Sequence, residues 1–276
     1  AGRDADVSNI IDSLSAVAST MGELAAPRKR FAIEPAALFG TNCRMDFDQF
    51  SHVDTWIFDL DNTLYPPKVR LFDQIEEKMR LFVADFLNVS LDEADVFRAQ
   101  YWRSHGTTLA GMMDRHAMPP EAFLQFVHDI DFSPLPHSAE LSALISALPG
   151  RKIVYTNGTE PYARRVLQAR GLEQNFEAVY GIEHASYRPK PHAEAFTEIF
   201  ARAAVTPQSA AMFEDDSRNL QVPADLGMRT VYISPDATSP DYIDATHQDL
   251  EAFLSQLVAA CFSTPSGELR RSHDHA

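Results

Sequence analysis

The chain has 276 residues and a formal net charge of -15, and hydrophobic residues make up 45% of it. This length suits one or two compact domains, and the composition is that of a folded protein rather than a disordered one. The negative charge repels nucleic acid phosphates, so we expect no polynucleotide partner. A phosphorylated substrate would need local positive charge from a metal, a lysine or helix N-termini.

Cysteine content and hydropathy bear on the cellular compartment. The two cysteines, Cys43 and Cys261, lie far apart, so neither a disulfide framework nor a zinc site is supported, and a reducing cytoplasm is expected. No apolar run approaches the roughly 18 residues of a membrane span, and the acidic start is unlike a signal peptide. We therefore expect no membrane association, while the oligomeric state is left open.

The N-terminal part of the chain is weakly patterned. Residues 1–50 are predicted to be a leader with one short helix over 10–24. A basic stretch at 28–30 follows, which is more typical of a solvated turn than of a targeting signal. The apolar, β-rich run at 54–60 is the first strong element and fits a buried parallel strand. The α/β part of the protein is therefore expected to begin near residue 51.

Residues 66–136 have the periodicity of helices. The apolar positions of the first predicted helix recur at spacings of three and four, which places them on one stripe. They are Phe72, Ile75, Met79, Phe82 and Phe86. A second helix is predicted to end at His105, and a third to begin at Pro119. This segment is therefore predicted to be an all-helical cap, inserted after the first strand.

From Arg151 onward, strands alternate with helices. The predicted strands are KIVYT, FEAVYG, AAMFE and RTVYI; the predicted helices cover 161–170 and 191–204 and begin again near Ser217. Pro223 is expected to shorten or distort this last helix. Alternation of this kind predicts an α/β protein with a doubly wound parallel sheet, its core at 51–65 and 137–262. Residues 263–276 are predicted to be a disordered tail.

Four polar segments follow or flank the predicted strands. Ligands bind at the carboxyl ends of the strands in open parallel sheets, so these segments carry the site candidates. They are DLDNT at 59–63, TNG at 156–158, RPKP at 188–191 and EDDSRN at 214–219. Each alone has an ordinary explanation as a turn or a helix cap. Their succession, one to each β/α unit, and the cost of burying two acids without a cation favour a functional site.

The four segments resemble, in order, the four motifs of the haloacid dehalogenase superfamily over about residues 55–233. The cap sequences YWRSHGTTLAGM at 101–112 and FVHDIDFSPL at 126–135 are similar to those of the pyrimidine 5'-nucleotidase branch, as are DLDNTLYPP and DDSRNL. The resemblance implies a Rossmann-like core. It also implies a magnesium-dependent phosphatase that removes phosphate from a pyrimidine nucleoside 5'-monophosphate.

The resemblance assigns roles to the core residues. Asp59 is the expected nucleophile, and Asp61 is the expected proton donor and acceptor. Thr156 and Asn157 are expected to bind the phosphoryl oxygens, while Lys190 neutralises charge and orients the nucleophile.

A magnesium site and a substrate site are implied as well. Magnesium is expected on Asp59, on the backbone carbonyl of Asp61 and on Asp216, with Asp215 reaching the ion through water. The candidates for substrate contact outside the core motifs are Arg103, His105, Thr107, Thr108 and Arg188.

Three alternatives stay open at this stage. The substrate could be another small phosphomonoester, such as a sugar phosphate or pyridoxal phosphate. A dehalogenase uses the same fold, although a halide leaving group needs no proton from Asp61. A non-catalytic nucleotide-binding protein would tolerate loss of the acid pair, and both acids are present here.

Overall fold

A parallel sheet of six strands forms the centre of the computed structural model, which describes residues 46–235 and 239–262. In chain order the strands are β1 (Thr55–Phe58), β2 (Arg151–Tyr155), β3 (Ala178–Tyr180), β4 (Ala210–Glu214), β5 (Arg229–Ile233) and β6 (Ala245–His247). Their spatial order is β3-β2-β1-β4-β5-β6, and each neighbouring pair is parallel. The chain order reverses beside β1, which is where sheets of this type bind ligands.

Residues 66–136 contain four α-helices. They are α1 (Leu71–Leu87), α2 (Leu91–His105), α3 (Thr108–His116) and α4 (Pro120–Val127). A capping box begins α2: Ser90 Oγ accepts from the Glu93 backbone, and the Glu93 carboxylate accepts from the Ser90 backbone. The sequence analysis did not predict α3, which begins after Thr107, a threonine whose hydroxyl accepts from the backbone of Ala110.

Within the described part of the chain, five further α-helices belong to the sheet region. They are α5 (Ala139–Ala147), α6 (Glu160–Arg170), α7 (Ala193–Arg202), α8 (Gln221–Asp225) and α9 (Leu250–Leu257). The expected short helix around Pro223 is confirmed, since α8 has only five residues and contains this proline. Within the described residues no helix is long and apolar enough to cross a membrane.

Apolar side chains cover both faces of the sheet. On one face, Ile57 of β1 and Phe196 of α7 share a buried cluster. On the other face, Phe58 stacks on Phe213 with 4.5 Å between ring centroids, and Phe213 contacts Phe253 of α9. Every residue of β1 is buried, as expected of a central parallel strand. The predicted doubly wound α/β fold is confirmed.

Several predicted boundaries differ from the observed ones. The strand predicted over 54–60 has four residues, Thr55–Phe58, and the helix predicted over 191–204 begins at Ala193. Residues 47–50 of the predicted leader form a short 3-10 helix. The rest of the leader, with its predicted helix over 10–24 and basic stretch at 28–30, and the predicted tail at 263–276 lie outside the described residues.

Candidate active site

A buried lysine joins two carboxylates at the carboxyl ends of the central strands. Asp59 directly follows β1, and Glu214 is the last residue of β4. Lys190 Nζ donates to Asp59 Oδ1 at 2.7 Å and to Glu214 Oε1 at 2.6 Å, and all three side chains are buried. The third ammonium hydrogen bond goes to the Tyr155 carbonyl at 3.1 Å. Lys190 therefore fixes the Asp59 carboxylate through one of its oxygens.

The segment after β2 supports this lysine. Asn157 Oδ1 accepts from the Lys190 backbone amide at 2.8 Å, and Asn157 Nδ2 donates to the Lys190 carbonyl at 3.2 Å. The neighbouring Thr156 is buried, and its Oγ1 accepts from the Gly158 amide at 2.9 Å. The Asn157 side chain thus holds the lysine backbone, and its predicted contact with phosphoryl oxygens stays a prediction.

Asp61 is held by two tyrosines. Its Oδ1 accepts hydrogen bonds from the hydroxyls of Tyr65 at 2.6 Å and Tyr162 at 2.5 Å. Burial raises the pKa of Asp61, and the hydrogen bonds from Tyr162 and Tyr65 oppose that rise. Burial and the nearby Asp61 carboxylate also raise the pKa of both tyrosines, so their hydroxyls stay protonated and act as donors.

A cap residue packs on this pair. The imidazole of His128, the residue after α4, stacks on the Tyr162 ring at 4.3 Å between centroids and an angle of 11°. Its Nδ1 lies 3.1 Å from the Thr159 hydroxyl. Burial lowers the pKa of His128 to about 4, so the stacked ring is neutral at neutral pH.

Three carboxylates form an acidic cluster beside the lysine. Asp59, Glu214 and Asp215 each offer a carboxylate oxygen, and these atoms lie within 4.8 Å of one another. Burial, with the charge of Glu214 as the next cause, raises the pKa of Asp59 to about 8 and that of Asp215 to about 9. The raised pKa values show that Lys190 alone does not offset three ionised carboxylates, so the cluster suits a hard divalent cation with oxygen ligands, such as magnesium.

Of the predicted acid pair of this segment, Asp215 lies in the cluster and Asp216 lies outside it. The Asp216 carboxylate is not part of the cluster, because it accepts from the Arg218 backbone at 3.1 Å and pairs with the Arg218 guanidinium at 2.5 Å. It thereby caps the short 3-10 helix Ser217–Leu220. Glu214 takes the place in the cluster that the sequence analysis gave to Asp216. The sequence contained a signal for the different positions of these two acids, because Glu214 ends a predicted strand whereas Asp216 lies where the next helical turn begins.

A cavity of about 770 Å³ extends from the cluster toward the cap helices. Asp59, Asp61, Thr156 and Lys190 line this cavity. Apolar side chains of the cap helices line it as well: Phe72, Ile75, Met79, Phe123, Leu124 and Val127. The polar groups at the strand ends therefore share a cavity whose surface is mainly apolar.

The family follows from comparison with known proteins. The profile of the haloacid dehalogenase-like hydrolases matches residues 53–227, which is more than half of the chain. The chain belongs to this hydrolase family. The predicted superfamily is thereby confirmed, while the pyrimidine 5'-nucleotidase branch stays a prediction.

Solved structures similar to this hydrolase have low sequence identity to it. A HAD phosphatase from Thermococcus onnurineus is 18% identical with a TM-score of 0.52, over 74% of this chain and 98% of that one. The putative HAD-hydrolase YfnB from Bacillus subtilis, bound to magnesium, is 16% identical with a TM-score of 0.49, over 74% and 98%. The L-2-haloacid dehalogenase from Xanthobacter autotrophicus is 14% identical with a TM-score of 0.48, over 76% and 100%. The likeness to the Thermococcus onnurineus phosphatase shows a shared fold.

Not all of the predicted substrate contacts lie at the cavity of the hydrolase. Arg103, Thr107 and Thr108 line it, although the Thr107 hydroxyl is also the cap of α3. His105 is not among the lining residues, because its ring nitrogens contact the Ser104 hydroxyl at 2.6 Å and the Asp114 carboxylate at 3.2 Å. Arg188 is exposed and also lies outside the lining. The structure therefore does not place His105 and Arg188 at the cavity, and their contact with a substrate stays a prediction.

The sequence analysis missed other residues that the hydrolase places at the cavity. Arg98 of α2 lines it and donates to Asp95 at 2.9 Å. The Arg218 guanidinium lies 4.0 Å from the ring centroid of Trp102, also on α2, and so connects the loop after β4 with the cap. In the sequence, Arg98 and Trp102 are indistinguishable from the solvated face of a helix.

Proposed function

We propose that this hydrolase is a phosphomonoesterase that works through a phosphorylated Asp59. The observation that carries the proposal is a second carboxylate, Asp61, which lines the same cavity two residues further along the chain. A departing alkoxide needs a proton, and a positioned carboxyl group supplies it. A departing halide needs none, so a dehalogenase would gain nothing from Asp61. The arrangement therefore favours phosphate esters over halogenated acids.

Each core residue has a separate role in the proposed reaction. The Asp59 oxygen that is not bonded to Lys190 attacks phosphorus, and the bond to the leaving oxygen breaks as Asp61 gives that oxygen a proton. A water molecule then attacks the phosphorylated aspartate, Asp61 takes a proton from it, and phosphate leaves. Throughout, Lys190 offsets the charge that gathers around the transferred group.

Magnesium fits the acidic cluster as the cofactor of this reaction. The proposed ligands are Asp59, Asp215 and Glu214, in place of the Asp216 of the sequence analysis, and the backbone carbonyl of Asp61 stays a proposed fourth. When bound, the ion would offset the mutual repulsion of the nucleophile and an anionic phosphate ester. Family membership supports this cofactor, because hydrolases of this superfamily typically use magnesium.

The ligand set can be tested by comparing two adjacent aspartates. In Asp215→Asn, the magnesium concentration for half-maximal activity is expected to rise at least about tenfold, because a cluster oxygen loses its charge. Asp216→Asn is expected to change it by less than about twofold, since this carboxylate bonds Arg218 instead. Phosphate release is measured during magnesium titration after chelation with EDTA. Full activity in chelator alone, or the opposite ranking of the variants, would contradict this set.

For the substrate, we propose a pyrimidine nucleoside 5'-monophosphate such as UMP or CMP. The similarity of the cap sequences at 101–112 and 126–135 to the pyrimidine 5'-nucleotidase branch supports this choice. A cavity of about 770 Å³ is within the usual range for a ligand of this size. The core motifs act on the phosphoryl group that every monoester shares, so selectivity has to come from the cap. The cytoplasmic location also stays a prediction.

Substrate preference is measured as the ratio of kcat/KM values. We expect UMP and CMP to exceed AMP and GMP by at least about tenfold, because polar groups that pair with a pyrimidine are left unpaired by a purine. Thr108→Val is expected to narrow this ratio, because it removes a buried hydroxyl at the cavity while keeping the side-chain shape.

Thr197→Val is the matched control, because Thr197 is exposed on α7 and its hydroxyl donates to the Ala193 carbonyl of the same helix. Both variants are expected to hydrolyse p-nitrophenyl phosphate. Equal kcat/KM values for all four nucleotides, or a clear preference for a sugar phosphate or pyridoxal phosphate, would contradict the proposed pyrimidine nucleotide substrate. Neither result would contradict the proposed phosphatase activity.

A further inference from the structure

Two tyrosine hydroxyls converge on one oxygen of the proposed proton donor. Tyr65 and Tyr162 both donate to Asp61 Oδ1, at 2.6 Å and 2.5 Å. The tyrosines are 1% and 2% exposed. They come from separate parts of the fold, one from the loop after β1 and the other from the first turn of α6. Both hydrogen bonds end on Oδ1, so the two oxygens of the Asp61 carboxylate have different environments.

The two oxygens of the Asp61 carboxylate differ in their ability to carry a proton. A carboxylate oxygen has about two lone-pair directions, and at Oδ1 the two hydroxyl hydrogens fill both. Among the described residues, Asp61 Oδ2 has no hydrogen-bond donor, and the side chain lines the cavity. Only Oδ2 is thus free to carry a proton and to meet a substrate oxygen.

The Tyr162 ring is itself held by two neighbours. His128 stacks on it at 4.3 Å between ring centroids. Gly158 also lies close, because an added Cβ there would come within 2.8 Å of the ring. The glycine of the TNG segment therefore leaves room for this ring. With both neighbours in contact, the hydroxyl has little freedom to turn away from Asp61.

We infer that Tyr65 and Tyr162 are positioning residues that hold Asp61 so that Oδ2 alone exchanges protons with the substrate. The inference rests on the proposed function. As Asp59 bonds to phosphorus and the ester P–O bond breaks, the proton on Oδ2 passes to the leaving oxygen. As water attacks the phosphorylated Asp59, a water proton returns to Oδ2, and the bond between phosphorus and Asp59 breaks. The sum is ester plus water giving alcohol plus phosphate.

Two esters with similar shapes and different leaving groups test the role of the tyrosines. p-Nitrophenolate is a stable anion that departs without a proton, whereas phenolate depends more on an acid. In Tyr65→Phe and Tyr162→Phe, and more in the double variant, kcat/KM for phenyl phosphate should fall at least about tenfold. For p-nitrophenyl phosphate it should fall less than about threefold, because kcat/KM covers only the steps through leaving-group departure.

Tyr101→Phe is the matched control. Tyr101 is also 1% exposed, and its hydroxyl makes a 2.6 Å hydrogen bond to His116 Nε2 within the cap. This variant should leave the ratio of the two kcat/KM values unchanged, even if its thermal unfolding midpoint falls as much as that of the other variants. An equal fall with both esters in Tyr65→Phe and Tyr162→Phe, or no fall with either, would overturn the inference.

The experiment also separates failure of the inference from failure of the proposed function. If the wild-type protein releases phosphate from neither ester with magnesium present, both the proposed function and the inference are wrong. Wild-type activity combined with an unchanged ratio in the single variants would remove the inference alone. The single variants suffice if the double variant fails to fold.

Discussion

Replacing Asp59 with asparagine is expected to lower kcat by at least about a thousandfold, a change of roughly 4 kcal/mol in the activation free energy. The amide has nearly the same shape as the carboxylate but is a very poor nucleophile toward phosphorus. The variant should still fold, because Lys190 keeps its 2.6 Å contact with Glu214. Removal of one buried negative charge also relieves repulsion within the acidic cluster.

Asp54→Asn is the control for this substitution. Asp54 precedes β1 at the opposite end of the strand from Asp59, and its carboxylate accepts from the hydroxyls of Thr55 and Ser209. Phosphate release from p-nitrophenyl phosphate with magnesium present should be near the wild-type rate in this variant. The assignment of Asp59 as the nucleophile would be contradicted if Asp59→Asn kept more than about a tenth of the wild-type kcat, because that loss corresponds to less than about 1.4 kcal/mol.

Replacing Lys190 with methionine is expected to destabilise the fold by about 3 to 5 kcal/mol when magnesium is absent. The ammonium is 1% exposed and touches Asp59 and Glu214, so its loss leaves two buried carboxylates without their shared cation. Turnover should also fall by at least about a hundredfold, because the charge on the phosphoryl group loses its fixed counterion.

Urea unfolding with and without magnesium measures the stability change. Lys152→Met is the control, because Lys152 is more exposed and its ammonium donates to the Gly150 carbonyl rather than to a carboxylate. That substitution should change the free energy of unfolding by less than about 1 kcal/mol. A similarly small change in Lys190→Met would show that the lysine does not compensate the buried acids.

The residues that the sequence could predict are those whose position follows from a single strand. Asp59 directly follows a recognisable apolar run, so its place at the carboxyl end of the sheet follows from the strand itself. Lys190 needs one further assumption, that consecutive β/α units bring their loops to one edge of the sheet. Asp216 shows the limit, because it directly follows Asp215 of the cluster and yet its carboxylate caps a helix.

Other residues could not be predicted because their contacts join distant parts of the chain. Tyr162 lies 101 residues from the Asp61 it contacts, and nothing near either residue indicates the partner. The strand β6 has only three residues, Ala245–His247, too few for any period to show. A helix such as α3 depends on the Thr107 cap, which a short polar segment offers at many positions that begin no helix.

The positions of the two tyrosines determine which parts of the hydrolase can be substituted without moving Asp61. Tyr65 immediately precedes residues 66–136, and Tyr162 is covered by His128, just past the last helix of that segment. The residues that hold Asp61, the proposed proton donor, thus lie outside the four helices of the insertion. Substitutions within α1 to α4 can reshape the pocket for a new leaving group and leave Asp61 in place. Changes at Tyr65, Tyr162 or His128 would instead alter proton transfer to every leaving group that needs a proton, so new specificities are most accessible through the helices of the insertion.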